Sequence, residues 1–169
     1  MKAVLSGWIF LLFTGCAILP NPPENSKHEQ LSHMLVERLH VKKKDAMDLS
    51  TSVLTYSHGF KERYALVSPP LFHNFLVNIG IKERGLCWHF AYDMLTHLKA
   101  QNFETFDYYI GGANINDYWE EHNALVLTCK GCDFQQGVLL DPWRYSGTLF
   151  FSPIMQDPTY TWEQRGGLR

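Results

Sequence analysis

The chain has 169 residues, of which 46% are hydrophobic and 14% are aromatic, so it can bury one sizeable core but is too short for two independent catalytic domains. Its 15 basic and 17 acidic residues give a formal net charge of -2, and the one concentrated basic run is Lys42-Lys43-Lys44. So short a run is typical of a solvated helix face or linker, which excludes the broad basic surface of most nucleic-acid-binding proteins.

The N-terminal segment has the features of a secretory signal. Lys2 precedes an apolar stretch, residues 3–13, that is too short to span a bilayer as a helix and is followed by small residues. Phe13-Thr14-Gly15-Cys16 resembles a bacterial lipobox, in which the cysteine is lipidated and becomes the mature N-terminus. We interpret residues 1–15 as a lipoprotein-type signal peptide and Cys16 as the lipidation site. Ordinary signal cleavage nearby and an uncleaved anchor are the alternatives.

A lipid on Cys16 would tether the protein to a membrane surface without spanning the bilayer. Ala17, in place of Asp, is the residue that suggests the outer membrane in a Gram-negative lipoprotein, so we expect a cell-envelope protein, lipid-anchored and facing the periplasm, or a secreted one. Residues 16–30 are rich in Pro, Asn, Glu and Ser, a composition that cannot bury enough apolar surface to fold alone. They are predicted to form a tether, and residues 31–169 a single domain.

Apolar residues recur at helical spacing in the first half of this domain. Residues 31–39 and 45–56 predict two scaffold helices. Ser68-Pro69-Pro70, followed by an apolar run over residues 71–79 and by Gly80, predicts a third. A fourth is expected to open at Gly85-Leu86-Cys87 and to end near residue 101.

Short aromatic and β-branched runs separated by glycines follow this helix and indicate strands. They cover residues 106–110, 124–128, 138–140 and 148–151. Helices first and strands afterwards predict an α+β fold, with N-terminal helices followed by an antiparallel sheet packed on the cysteine-bearing helix.

The four cysteines divide unevenly. Cys129 and Cys132 flank Lys130-Gly131 between two strand-like runs, which favours a hairpin tip closed by a small disulfide. A metal site or a redox pair is the alternative, although zinc would need two more ligands and a redox pair should open a helix. With Cys16 assigned to a lipid, Cys87 has no partner, and an odd thiol in an oxidising compartment needs an explanation.

A catalytic role would supply that explanation for Cys87. A helix N-terminus provides partial positive charge and free amides that lower the pKa of a thiol. His122, at the start of an apolar strand, is the best candidate for the base that takes the proton. Asp141, which closes the next strand before Pro142, can fix the tautomer of the imidazole. A hairpin with its turn near Lys130-Gly131 would make His122 and Asp141 cross-strand neighbours at its open end, and a bulge or a longer loop would shift this register.

These residues carry a resemblance to a known family. Residues 85–91 (GLCWHFA), 121–126 (EHNALV) and 140–142 (LDP) resemble, in order and interval, the three signature blocks of the transglutaminase-like superfamily of cysteine enzymes. The resemblance implies a papain-like, transglutaminase-like core and a Cys-His-Asp triad formed by Cys87, His122 and Asp141. It does not choose among transglutaminases, peptidases, amidases and inactive relatives.

The function expected from these features is extracytoplasmic acyl transfer, in which Cys87 attacks an amide or isopeptide carbonyl in a protein or a peptide-containing envelope polymer. Trp88, Tyr118, Trp119 and Trp143 would flank the cleft, or could equally be core residues or rim contacts for a peptide. No cofactor or metal is implied, and a nucleic-acid partner is not expected. The oxyanion formed during acyl transfer needs two hydrogen-bond donors. The backbone N–H of Cys87 would supply one, and the second is left open among Asn74, Asn78 and Trp119. The alternative function is a catalytically silent lipoprotein that uses the same fold as a binding or envelope-assembly module.

Overall fold

The structure of the protein is a computed structural model that describes residues 24–117 and 119–166. The helices are α1 (Glu24–Leu39), α2 (Lys43–His58), α3 (Phe60–Arg63), α4 (Pro70–Asn78) and α5 (Cys87–Ala100). The strands are β1 (Phe106–Ala113), β2 (His122–Cys129), β3 (Val138–Tyr145), β4 (Thr148–Pro153) and β5 (Glu163–Gly166). This order confirms the predicted α+β class.

The N-terminal helices bury the apolar stripes that their sequences predict. Leu31, Leu35 and Leu39 recur every four residues on α1, and all three side chains are buried where α1 packs along α2. The boundary of the predicted tether needs a correction, because residues 24–30 form the first turns of α1. The proline-rich composition ends at Pro23, and Glu, Lys and Gln are good helix formers. The predicted signal peptide, Cys16, residues 16–23 and Tyr118 lie outside the described residues.

The sheet has five strands in the order β4-β3-β2-β1-β5, and every neighbouring pair is antiparallel. Helix α5 packs against β2 and β3, and the side chains that alternate along the strands divide into two buried clusters. Leu125, Leu127 and Leu140 belong to the cluster that contains α5. Val126 and Leu139 point to the other face, which the C-terminal segment covers. The sheet therefore carries one core on each face.

The register of the β2–β3 hairpin differs from the prediction. Leu125 pairs with Leu140 and Leu127 with Val138, and this register, continued along both strands, sets Asp141 opposite Ala124. His122 and Asp141 are therefore diagonal neighbours on one face of the sheet, not directly opposite each other. The physical reason is the connection, which contains a 3-10 turn at Phe134–Gln136 and moves the centre of the hairpin toward the C-terminus.

The buried His73 ring holds the loop that leads into α5. The His73 ring accepts a hydrogen bond from the Val67 amide at 3.2 Å and donates one to the Arg84 carbonyl at 2.9 Å. A Cβ added at Gly85 would lie 2.1 Å from the His73 ring, and Gly85 has a φ of +125°, which side chains rarely adopt. The loop before Cys87 therefore requires glycine at this position.

Replacing Gly85 with Ala should destabilise the fold more than the same change at Gly80, which also has a positive φ (+78°) but no neighbouring atom within 4 Å of an added Cβ. We expect a loss of about 1 kcal/mol for Gly80→Ala and roughly 3 kcal/mol or more for Gly85→Ala, because only the second adds a steric collision to the backbone strain. Urea denaturation of both variants measures the difference. Equal losses would contradict the role assigned to Gly85.

Candidate active site

Cys87 is the first residue of α5, and its side chain is 8% exposed. The first amides of a helix have no acceptor within the helix, and the helix dipole favours negative charge at this end. Burial raises the pKa of the Cys87 thiol, but His122 and the amides of Asn123 lower it by more, so the pKa lies below its ordinary value. Cys87 is also the one free cysteine among the described residues.

The sulfur of Cys87 lies against the start of β2. The thiol donates to the Glu121 carbonyl oxygen at 3.9 Å, and the side-chain amide of Asn123 donates to the sulfur at the same distance. Arg165 donates from Nη1 to Oδ1 of Asn123 at 3.1 Å, so the NH₂ end of this amide is the end that faces the sulfur. Sequence reasoning missed Asn123, although its place directly after His122 in the strand was a usable signal.

His122 and Asp141 form a buried, hydrogen-bonded pair. Nε2 of His122 donates to Oδ2 of Asp141 at 2.8 Å, and the two side chains are 2% and 1% exposed. Nδ1 of His122 is buried and has no hydrogen-bond partner within the residues that the structure describes. Since Asp141 holds Nε2, Nδ1 is the ring nitrogen left to exchange a proton with Cys87.

The electrostatics of the pair favour a charged imidazole. Burial lowers the pKa of His122, but Asp141 and the nearby Cys87 sulfur raise it by more, to about 9. Burial raises the pKa of Asp141, whereas His122 and Arg144 hold it below its ordinary value. The three predicted residues therefore meet in an arrangement that favours a thiolate beside an imidazolium.

Aromatic rings enclose the imidazole of His122. The ring centroids of Trp143, Tyr160 and Trp162 lie 4.6, 4.9 and 5.4 Å from its own. Trp143 is buried, and its Nε1 donates to Oδ1 of Asn74 on α4 at 3.0 Å. Of the two places that the sequence allowed for Trp143, beside the cleft or in the core, the structure has the second: the residue is buried and its ring packs on His122.

The other two predicted cleft tryptophans are exposed. Trp88 follows Cys87 on α5 and is 45% exposed, and Trp119 precedes His122 in the loop and is 80% exposed. Of the residues considered as oxyanion donors, Asn78 is exposed, and Asn74 uses its carbonyl oxygen on Trp143. The side-chain amide that lies against the Cys87 sulfur is instead that of Asn123.

Arg144 is a further site residue that sequence reasoning missed. Its Nε donates to Oδ2 of Asp141 at 3.0 Å, so this oxygen serves both Arg144 and His122. The second oxygen, Oδ1, accepts from the backbone amides of Trp143 and Arg144 at 3.1 and 3.2 Å. Both oxygens of the buried carboxylate are thus satisfied, which explains how a charged aspartate is tolerated here.

His89 has a structural role beside the nucleophile. Its Nδ1 accepts hydrogen bonds from the backbone amides of Gly85 and Leu86, at 3.2 and 3.1 Å. Burial lowers the pKa of His89, and a ring that accepts at Nδ1 is neutral. The ring therefore fixes the turn that sets the position of Cys87, two residues before it on the helix.

Cys129 and Cys132 are joined by a disulfide at the turn after β2. His122 begins that strand and Cys129 ends it, so the disulfide lies at the opposite end of β2 from the candidate site. Among the described residues, no group of three or more His, Cys, Asp or Glu side chains is suited to holding a metal ion.

No protein-family model matches the chain, and comparisons with the curated proteins and with the solved structures found no match either. Within residues 24–117 and 119–166, none of the helices combines the length and the hydropathy needed to cross a bilayer.

The raised pKa of His122 predicts a specific pH dependence of stability. Protonation of the ring stabilises the fold fully below about pH 6.5, the ordinary pKa, and this contribution is lost as the pH rises toward 9. A Cys87→Ser variant removes the thiol that titrates in the same range and also the part of the pKa rise that the sulfur supplies, so only Asp141 still raises the His122 pKa. Its free energy of unfolding should still fall as the pH rises above about 6.5, by roughly 1 kcal/mol.

Urea denaturation at several pH values measures this fall. Adding Asp141→Asn to the same background removes the carboxylate that raises the His122 pKa, so the fall should largely disappear. A flat or rising curve in the Cys87→Ser variant would show that His122 does not bind its proton more tightly in the folded state.

Proposed function

We propose that the protein is a cysteine-dependent acyl-transfer enzyme, an amide or isopeptide hydrolase or transferase, with Cys87 as nucleophile, His122 as base and Asp141 as the group that orients the base. The observation that carries the proposal is the buried 2.8 Å hydrogen bond from Nε2 of His122 to Asp141, which leaves Nδ1 without another partner. The imidazole is also close enough to the Cys87 sulfur for each group to shift the pKa of the other. A histidine with only a structural role would be expected to satisfy both ring nitrogens, as His73 does.

The proposed reaction has two stages, acylation of Cys87 by the substrate and hydrolysis of the resulting thioester. The Cys87 thiolate attacks the carbonyl carbon, a C–S bond forms, and the carbonyl oxygen takes up negative charge. As the C–N bond breaks, Nδ1 of the His122 imidazolium gives its proton to the leaving nitrogen. Water then attacks the thioester and gives a proton to Nδ1, and the C–S bond breaks to release the acid. Asp141 stays ionised throughout and stabilises the imidazolium.

The oxyanion of each tetrahedral intermediate needs donors close to the sulfur. We assign this role to the backbone N–H of Cys87, which opens α5, and to the side-chain amide of Asn123. Two observations support the second assignment: this amide lies 3.9 Å from the sulfur, and Arg165 fixes its orientation.

The family and the location belong to the same proposal. The blocks at residues 85–91, 121–126 and 140–142 resemble those of transglutaminase-like cysteine enzymes, and helices followed by an antiparallel sheet agree with such a papain-like core. The lipobox-like segment ending at Cys16 favours a lipid-anchored protein of the cell envelope. The substrate we propose is then a protein or a peptide-containing envelope polymer, and hydrolysis is favoured because water is the abundant acceptor outside the cell.

One observation favours the alternative of a binding or assembly module. Helix α4 exposes large apolar side chains on one surface, and Ile81 in the loop that follows is exposed as well. An exposed apolar surface of this kind marks interaction sites in many proteins. The residues concerned are Leu71, Phe72 and Phe75 on the helix and Ile79 directly after it. Such a module would need no reactive thiol, and this difference separates the two functions.

Alkylation of Cys87 by iodoacetamide tests the proposal without knowledge of the substrate. At about pH 6.5, below the range in which a free cysteine ionises, Cys87 should react at least roughly tenfold faster in the wild-type chain than in His122→Ala, because the imidazolium stabilises the thiolate. Peptide mass spectrometry follows Cys87 separately from other thiols. His33→Ala, which removes an exposed histidine, is the matched control and should leave the rate unchanged.

A Cys87 that reacts only at alkaline pH, and equally fast in wild type and His122→Ala, would overturn the enzyme proposal. The binding or assembly module would then be the better account of the fold.

A further inference from the structure

Arg144 links the Asp141 carboxylate to a second buried carboxylate. Beyond its bond to Asp141, its Nη1 and Nη2 donate to Oδ1 and Oδ2 of Asp157 at 3.0 and 2.6 Å. The Arg144 side chain is only 9% exposed and that of Asp157 is fully buried. The guanidinium also lies 3.9 Å from the ring centroid of Phe150 and 5.0 Å from that of Tyr160. Each N–H edge of the planar group therefore has a fixed partner.

Asp157 in turn organises the segment that covers His122. It accepts hydrogen bonds from the backbone amides of Thr159 and Tyr160, at 2.9 and 3.4 Å, and from Nε1 of Trp162 at 2.8 Å. Tyr160 and Trp162 are two of the three aromatic residues that contact the His122 ring. The segment has little regular structure between β4 and β5, so these bonds to one carboxylate decide where its rings lie.

We propose that Arg144 and Asp157 are positioning residues for the acyl-transfer site, with the Arg144 fork fixing the Asp141 carboxylate and Asp157 fixing the aromatic wall around His122. This inference rests on the proposed function, because it concerns how the base of that reaction is held. Neither residue touches the sulfur or a substrate; both act through Asp141 and the His122 ring.

The geometry explains why an arginine is needed. The Asp141 oxygen that accepts from His122 also accepts from Arg144, so rotation of the carboxylate away from the imidazole would break two charged hydrogen bonds. A lysine at residue 144 would keep the positive charge between the two aspartates but has no fork to bridge them. The charged groups around this cation are the carboxylates of Asp141 and Asp157 and the imidazolium of His122.

The test is the pH profile of Cys87 alkylation by iodoacetamide in the full chain, with Cys87 followed by peptide mass spectrometry. In Arg144→Lys the rate at about pH 6.5 should fall roughly three- to tenfold relative to wild type, and by no more than in His122→Ala, since an imidazole that is no longer held against Asp141 stabilises the thiolate less well. A merely structural role would lower the urea midpoint but leave the pH profile of the folded protein unchanged.

Arg63→Lys is the matched control, because Arg63 also lies over two aromatic rings and donates to a backbone carbonyl, but in α3. Its profile should superimpose on that of wild type. Trp162→Phe provides a second variant: it removes the Nε1 donor to Asp157 but keeps an aromatic ring beside His122, and the rate should fall several-fold.

The outcomes separate the two proposals. If wild-type Cys87 shows no enhanced reactivity below the free-thiol range, the proposed function itself fails. If wild type is enhanced and folded Arg144→Lys matches it, the positioning inference is overturned while the function stands. Should Arg144→Lys not fold, Trp162→Phe decides: a several-fold loss supports the inference, and a wild-type profile overturns it.

Discussion

The hydrogen bond between His122 and Asp141 lies at the centre of the structure because both groups carry charge where almost no water reaches them. Their side chains are 2% and 1% exposed, and a buried charge is tolerated only when opposite charge or hydrogen bonds match it. Arg144 and two backbone amides donate the remaining hydrogen bonds to the Asp141 carboxylate, and aromatic rings surround the imidazole. Much of the C-terminal third of the chain is therefore arranged around this one pair. The bond to Asp141 uses Nε2 of the imidazole and leaves Nδ1 for the thiol.

The two cores of the sheet bring the nucleophile and the base together from different sides. Cys87 comes from α5, which packs on the face of the sheet that carries Leu125 and Leu127. By the alternation of β2, His122 belongs with Ala124 and Val126 on the other face, under the C-terminal segment. The candidate site lies at the end of the sheet where these faces meet. Both groups sit on regular elements, which holds their separation more firmly than loops would.

Periodicity and order in the sequence predicted α1, α2, α4, α5, β1 to β4 and the class of fold, because these depend on local apolar patterns. The four-residue elements α3 and β5 are too short for a period and were not predicted. Periodicity and order also selected Cys87, His122 and Asp141, since each stands at the end of a predicted element. The hairpin register was wrong by two residues, because the extra turn at Phe134–Gln136 has no apolar period to reveal it. Arg144 and Asp157 were missed because their roles depend on contacts between distant segments, which spacing does not encode. For Asn123 the place next to His122 was a signal, but its contact with the Cys87 sulfur also joins distant segments.

The central claim is that Cys87 forms an acyl-enzyme with the help of His122. Intact-mass and peptide mass spectrometry after brief incubation with p-nitrophenyl acetate and an acid quench tests it most directly. We expect one acetyl group, located on Cys87, that appears quickly in the wild-type chain, is lost again on incubation in water, and is formed far more slowly in His122→Gln. No acetyl group on Cys87, or equal rates of its formation in the wild-type and His122→Gln chains, would contradict the account.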